Sequence, residues 1–311
     1  MTDIQHSASS LLMVRPVAFG FNEETSEDNV FQTKLKADES WIQKQALKEF
    51  DDLVSLLRSK GIKVNVIEDS RSPHTPDSIF PNNWFSTHTD GRVGLYPLKA
   101  SNRRAERRPE IIEFLVDTGY KVKHIEDFTA AELSGQYLES TGSMVLDRTR
   151  KLCYCSVSER TNPELVVEFC EVFGYQPIFF QCFIDEMPVY HTNVCMSVAS
   201  HFALVALSSF SRTDEREKVE NALKVSGKEI IELSEDQVTQ FAGNGLEVMG
   251  EDGNLFYILS TRAFSALSEE QIDTIEKYAT VLHSNLETIE NFGGGSARCM
   301  MAEVFLPFQR K

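Results

Sequence analysis

Apolar residues recur at helical spacing in five separate stretches of the chain. In the first, Trp41–Lys60, an apolar stripe is formed by Trp41, Leu47, Phe50, Val54 and Leu57, with Asp38 or Ser40 placed to cap its start. The others are Arg104–Thr118 (Ile111, Ile112, Leu115), Asn162–Phe173 (Leu165, Val166, Phe169, Val172), Thr213–Val225 (Val219, Ala222, Leu223) and Ser268–Ala279 (Ile272, Ile275, Tyr278). Each is followed by a short run rich in strand formers: Val64–Glu68, Lys121–Glu126, Pro177–Gln181, Glu229–Leu233 and Thr280–Ser284. Gly61, Gly119, Gly174 and Gly227 stand at four of these junctions, where a helix ends most readily on a residue without a Cβ. Strand pairs precede most of the helices, as in Ser143–Leu146 with Leu152–Val157 and Leu246–Met249 with Leu255–Ser260.

The unit strand–strand–helix–strand therefore repeats about every 50–60 residues, and a repeat of that length constrains the whole fold. A doubly wound parallel sheet is the usual reading of alternating helices and strands, but it accommodates repeated hairpins poorly because hairpins are antiparallel. Five pseudo-symmetric ββαβ modules in a ring, strands inside and helices outside, fit better. The expectation is an α/β chain folded as one domain over residues 1–311.

Composition narrows the function. The chain carries 31 Lys and Arg against 47 Asp and Glu, a formal charge of −16, which disfavours nucleic acid or an anionic membrane as a partner. No apolar run approaches the ~20 residues of a spanning helix, and Leu11–Val14 behind the polar Met1–Ser10 is too brief for a secretory core, so a cytoplasmic location is expected. Six cysteines, at 153, 155, 170, 182, 195 and 299, form no C-x-x-C pair and show no zinc-ligand spacing, so neither a metal nor a cofactor is expected. Five of them lie in apolar segments, as small hydrophobes do. Cys299 follows Gly293-Gly294-Gly295-Ser296-Ala297-Arg298, where three glycines permit close substrate approach and an adjacent Arg favours thiolate.

One polar residue follows each post-helix strand at similar distance: Asp77, Glu139, His191, Asn244 and Cys299, the last counted from Ile289 at the end of a longer strand-like stretch. Equivalent positions of a pseudo-symmetric ring converge on one mouth, so a thiol, an imidazole, two carboxylates and an amide are expected to meet there. That set supplies a nucleophile with acid/base partners.

At these residues the sequence resembles the guanidino-group-modifying, or pentein, superfamily, which includes arginine deiminases, dimethylarginine dimethylaminohydrolases and amidinotransferases, and most nearly its citrulline-utilisation hydrolase branch. The resemblance runs from Leu12-Met13-Val14-Arg15-Pro16 to Cys299 and rests on Pro76-Asp77-Ser78-Ile79-Phe80-Pro81-Asn82-Asn83-Trp84, Leu138-Glu139-Ser140-Thr141-Gly142-Ser143, Tyr190-His191-Thr192-Asn193 and Gly294-Gly295-Ser296-Ala297-Arg298-Cys299-Met300. It implies a five-bladed β/α propeller. It also implies Cys299 as nucleophile, His191 as general acid/base and Glu139 as the carboxylate orienting substrate and histidine. Asp77 then binds the planar nitrogen group and Arg160 the substrate's α-carboxylate. The basic run Asn102–Arg108 raises the same question, and sequence leaves open which of its arginines points inward.

Two departures bear on the substrate. Where deiminases of that superfamily carry further aspartates, this chain has Asn83 and Asn193, each exchange removing a negative charge and adding an NH2 donor. A guanidinium wants carboxylates, whereas a neutral ureido group offers an oxygen that needs donors. Citrulline, cleaved to ornithine, CO2 and ammonia through an S-carbamoyl intermediate, is thus the expected substrate. The alternatives are an arginine deiminase or dimethylarginine hydrolase working through an S-amidino intermediate, an amidinotransferase, and a non-catalytic binding protein of the same fold. Asn83, Asn193 and Asn244 are expected at the substrate, and a homo-oligomer is possible.

Overall fold

The computed structural model describes residues 5–26, 28–29, 31–33 and 37–309; of the polar N-terminal stretch, residues 1–4 lie outside the described residues. All five expected helices form: Glu39–Ser59, Pro109–Asp117, Pro163–Phe173, Thr213–Val225 and Glu269–Glu276. Their ends follow local chemistry. The Asp38 carboxylate accepts from the backbone N–H groups of Ser40 and Trp41. Asn162 caps the third helix through the Leu165 N–H, Pro163 occupies its first turn, and Gly174 closes it at φ 71°. Ser268 and Gln271 cap the fifth reciprocally.

Three expectations need correcting. The second helix begins at Pro109 rather than Arg104, because a residue before proline is pushed out of the helical region; Arg108 sits at φ −82°, ψ 124°, and Ser101–Glu106 forms a separate 3-10 turn. On the first helix the buried stripe is Ile42, Ala46, Phe50, Leu53, Val54 and Leu57, leaving Trp41 49% exposed and Leu47 half-buried. The aromatic had been given the core position that Ile42, one residue on, fills. The strand-like stretch ending at Ile289 is strand only over Thr280–Ser284, and Glu287–Gly293 is helical.

Among the described residues the strands form five three-stranded sheets of one topology, plus the small hairpin Phe183–Ile184 with Met187–Pro188. In each large sheet a middle strand pairs antiparallel with one neighbour and parallel with the strand that follows its helix. The second sheet is Phe85–Thr87, Arg92–Leu95 and His124–Asp127, and the third Val145–Asp147, Leu152–Ser156 and Gln176–Phe180. The fourth is Met196–Val198, Phe202–Val205 and Glu229–Glu232, and the fifth Leu246–Met249, Leu255–Ser260 and Thr280–Ser284. The first is assembled from both ends of the chain: Ser10–Arg15 pairs parallel with Lys63–Glu68 and antiparallel with Ala302–Glu303, registered Leu11 to Glu303 and Leu12 to Ala302. The fold is mixed α/β.

Apolar faces of helices and sheets meet in the core; Val166 and Phe169, for instance, pack with Cys153, Cys155 and Tyr96. All six cysteines are buried and free, and no helix among the described residues is long and apolar enough to cross a membrane. A short helical turn leads into the antiparallel edge strand of four sheets: Pro81–Asn83, Ser140–Ser143, Thr192–Cys195 and Ala297–Met300. These turns carry the candidate chemistry. Replacing Asn162 by Ala is expected to cost about 1 kcal/mol, read as a lowered urea midpoint at unchanged slope, because the Leu165 N–H loses its acceptor.

Candidate active site

Sequence-remote residues meet around one cavity of roughly 270 Å³ of empty space. Its walls include Asp77, Asn83, Arg160, His191 and Cys299 among the expected residues, with Arg103, Tyr190 and Gly293–Gly295 beside them. Every expected site residue is buried, Cys299 included at 4% exposure, so the thiol is reached through the cavity and not from the surface.

Cys299 sits in the turn Ala297–Met300, its backbone N–H donating to Ser296 O at 3.0 Å. Asn244 fixes that turn, accepting from the Arg298 N–H through Oδ1 at 3.1 Å while its Nδ2 donates to Asn193 O at 3.0 Å and lies 3.3 Å from Cys299 Sγ. Asn193 Nδ2 approaches the same sulfur at 3.7 Å. Both amides thus reach the sulfur of Cys299, while neither is among the residues that form the cavity wall. The Arg298 guanidinium donates to Met301 O at 2.8 Å and Glu303 Oε2 at 3.0 Å, and it remains near enough to Cys299 for the two to interact electrostatically. The glycines do allow close approach: a Cβ on Gly295 would stand 3.3 Å from that of Cys299 and 2.9 Å from the Phe80 ring.

His191 Nε2 and Glu139 Oε2 are 2.7 Å apart, both fully enclosed. Glu139 Oε1 accepts from the Lys99 N–H at 3.0 Å, and Arg160 and Arg103 lie 3.5 and 3.9 Å from Oε2. Burial alone would raise the Glu139 pKa, but Arg160, His191 and Arg103 outweigh it and hold the carboxyl well below the usual range. Burial lowers the His191 pKa below its ordinary 6.5, with Glu139 pulling the other way, so the ring is held neutral near pH 7. Ser140, next to Glu139, is a non-glycine residue at φ 42°, a strained backbone conformation of the kind found where a side chain must be aimed.

Asp77 Oδ2 accepts from Asn22 Nδ2 at 2.7 Å and Thr25 Oγ1 at 3.2 Å, while Oδ1 is buried without a hydrogen-bond partner among the described residues. Burial raises the Asp77 pKa, Arg103 and Asn22 opposing. Arg103 is the inward member of the basic run. It donates to Glu106 through Nε at 2.9 Å and Nη2 at 3.0 Å, to Asn83 Oδ1 through Nη1 at 3.0 Å, and lies 3.8 Å from Asp77. Since Asn83 Oδ1 is taken by Arg103, its Nδ2 is the end left buried and unpartnered. Gly142 closes this corner: a Cβ there would lie 2.4 Å from Asn83 Nδ2 and 2.9 Å from His191 Cε1 and Nδ1.

Arg160 reaches the cavity, but its guanidinium is already held by Asp28 through both Nε and Nη2, with Thr25 O at 3.1 Å and the Tyr190 ring beneath at 4.8 Å. Asn22, Thr25 and Asp28, which hold Asp77 and Arg160, lie in the segment before the first helix. No motif marks them, and sequence reasoning passed over them. No group of three His, Cys, Asp or Glu residues able to hold a metal is present among the described residues.

The family model described as N,N dimethylarginine dimethylhydrolase, eukaryotic, matches residues 15–306. The chain belongs to that family. That family is one of pentein-type hydrolases acting on non-peptide C–N bonds. No curated protein sequence matches it. Among solved structures, unliganded ArgZ, an arginine dihydrolase from the ornithine–ammonia cycle in Cyanobacteria, superposes at TM-score 0.74 and 15% identity over 96% of this chain. This chain spans 41% of full-length ArgZ but 99% of its N-terminal domain, solved with substrate at TM-score 0.70 and 16% identity, again over 96% of this chain. A dimethylarginine dimethylaminohydrolase, as an adduct with S-methyl-L-thiocitrulline, matches at TM-score 0.63 and 15% identity over 95% of this chain and 99% of its own.

Two outcomes follow for this member of the dimethylhydrolase family. Gly142→Ala forces Asn83 or His191 aside, so kcat is expected to fall by about tenfold or more with little loss in urea midpoint. The neutral His191 must be protonated in the unfolded chain as pH falls below 6.5, so native stability should decline from there towards the lower folded-state pKa. His191→Gln should flatten that limb in denaturation curves taken between about pH 7 and 5; an unchanged slope would assign it to other groups.

Proposed function

We propose that this chain hydrolyses the ureido group of citrulline or a close relative, releasing ornithine, CO2 and ammonia, with Cys299 as nucleophile and five sheets grouped as propeller blades around the site. The observation that carries the ureido reading is the pair of unsatisfied polar atoms at the cavity. Its walls offer one unpartnered donor, Asn83 Nδ2, and one unpartnered acceptor, Asp77 Oδ1. A ureido group is complementary to that pair: its oxygen accepts and its terminal NH2 donates.

Chemistry follows from the arrangement. Neutral His191 takes the Cys299 thiol proton as the sulfur attacks the ureido carbon, and Asn83 Nδ2 donates to the oxygen as charge collects on it. His191, kept in one orientation by Glu139, delivers a proton to the nitrogen that departs as ornithine, leaving S-carbamoyl cysteine. His191 then takes a proton from water, which attacks the carbamoyl carbon and restores the thiol. The released carbamate decomposes to CO2 and ammonia. Arg160 is engaged by Asp28, so a substrate α-carboxylate binding there takes the place of that side chain.

A second reading has its own support, since neighbours of the same fold include AgrE, one form of it in complex with L-arginine, at TM-score 0.72 and 16% identity over 97% of this chain and 41% of AgrE. On that reading arginine loses its terminal nitrogen first. Mass analysis of products from citrulline, arginine, agmatine and methylated arginines separates the two: ornithine from citrulline alone supports the ureido reading, and turnover of arginine without turnover of citrulline overturns it. Cys299→Ser should lower kcat by ~10⁴-fold or more. Asn83→Asp restores an anion and should move the kcat/KM ratio towards arginine.

A further inference from the structure

A second pocket lies apart from the site around Cys299, and its chemistry is opposite to that of the acidic surface. Its walls include Arg92, Arg148, Lys151, His88, Asp90 and Tyr175. Three cations thus face one carboxylate in a chain of formal charge −16. Asp90 is already committed to Arg92, its Oδ2 accepting from Nε at 2.8 Å, and Glu126 stands 3.5 Å from the same guanidinium. Arg148, only 5% exposed, has Glu303 at 3.2 Å, but Arg298 shares that carboxylate at 3.0 Å. Lys151 has no carboxylate partner among the described residues; its Nζ is 3.5 Å from Phe173 O and 4.3 Å from the Tyr175 ring centre. Even with Glu126 and Glu303 counted, the carboxylates are one short of the four cations.

Burial and the neighbouring Arg148 lower the Lys151 pKa, with Asp90 opposing them. His88, enclosed and stacked on Phe173 at 3.8 Å, is kept neutral by burial and the same cations, so it adds a hydrogen-bonding edge without adding charge. A partly buried guanidinium fork beside an ammonium is the pairing that suits a tetrahedral oxyanion: the fork takes two oxygens and the ammonium a third.

We propose that this pocket binds a phosphate group, free or carried on a small metabolite, between Arg148 and Lys151. The bound oxyanion competes with Glu303 for Arg148. Glu303 then swings its hydrogen bonding towards Arg298, the residue preceding Cys299, so occupancy of the pocket is felt at the nucleophile.

Calorimetric titration of the full chain with inorganic phosphate and with ribose 5-phosphate, at constant ionic strength set by chloride, tests this. Saturable binding that weakens by about tenfold or more in Lys151→Met, with basal turnover unchanged in that variant, is expected. Binding of both probes identifies free phosphate as sufficient, and binding of the ester alone identifies a phosphorylated metabolite. Absence of saturable binding to either, or equal affinity in Lys151→Met, overturns the site. A phosphate-dependent change in the rate of Cys299 alkylation by iodoacetamide is expected in the wild type and not in Lys151→Met. Binding without that change overturns the link to Cys299.

Discussion

Two buried guanidinium groups set among carboxylates, Glu106 and Asp28 as well as Asp77 and Glu139, determine what this site is able to do. Arg103 and Arg160 are each about 2% exposed, as is Asp77, and Glu139 is fully enclosed. None of these charges survives burial alone, since removing one partner of a buried pair typically costs about 3–5 kcal/mol. The compensation keeps Glu139 ionised at the histidine, which stays neutral and available as a base. It also fixes Asn83, because the guanidinium that balances Asp77 and Glu139 is the one that ties down the amide oxygen. Support of the buried carboxylates and placement of the donor are therefore one arrangement, and disturbing Arg103 disturbs both.

The fold serves this by delivering side chains on short turns immediately before edge strands. A turn of three or four residues has little freedom once the strand that follows is paired, and here the strands are paired within three-stranded sheets. The strain at Ser140 and the closeness at Gly142 belong to the same requirement. Glu139, Asn83 and His191 converge so tightly that there is no room for one extra methyl group.

Much of this was legible in the chain. Helix periodicity, caps such as Asp38 and Asn162, and the strand following each helix came through because they are local. Boundaries failed where a competing local rule intervened, as Pro109 did against the apolar stripe running back to Arg104. The pairing of Ala302–Glu303 with Ser10–Arg15 was not legible, since two residues carry no strand signal and their partner lies at the other end of the sequence. That Asp77, His191 and Cys299 gather was legible from register, but hydrogen-bond partners were not. Asn193 and Asn244 reach the sulfur itself, and Arg298 pairs with Glu303. A residue's position along a turn says which end of the molecule it reaches, and only its partners decide where its polar end points.

That distinction matters for how the nucleophile is supported. Asn244 Nδ2 and Asn193 Nδ2 stand 3.3 and 3.7 Å from the sulfur and steady it in position. Because Asn244 also binds the Arg298 N–H, the group steadying the sulfur is the one that holds its turn, so displacement of the backbone at Arg298 moves donor and nucleophile together. The Arg148–Glu303–Arg298 chain of contacts meets the site at that point.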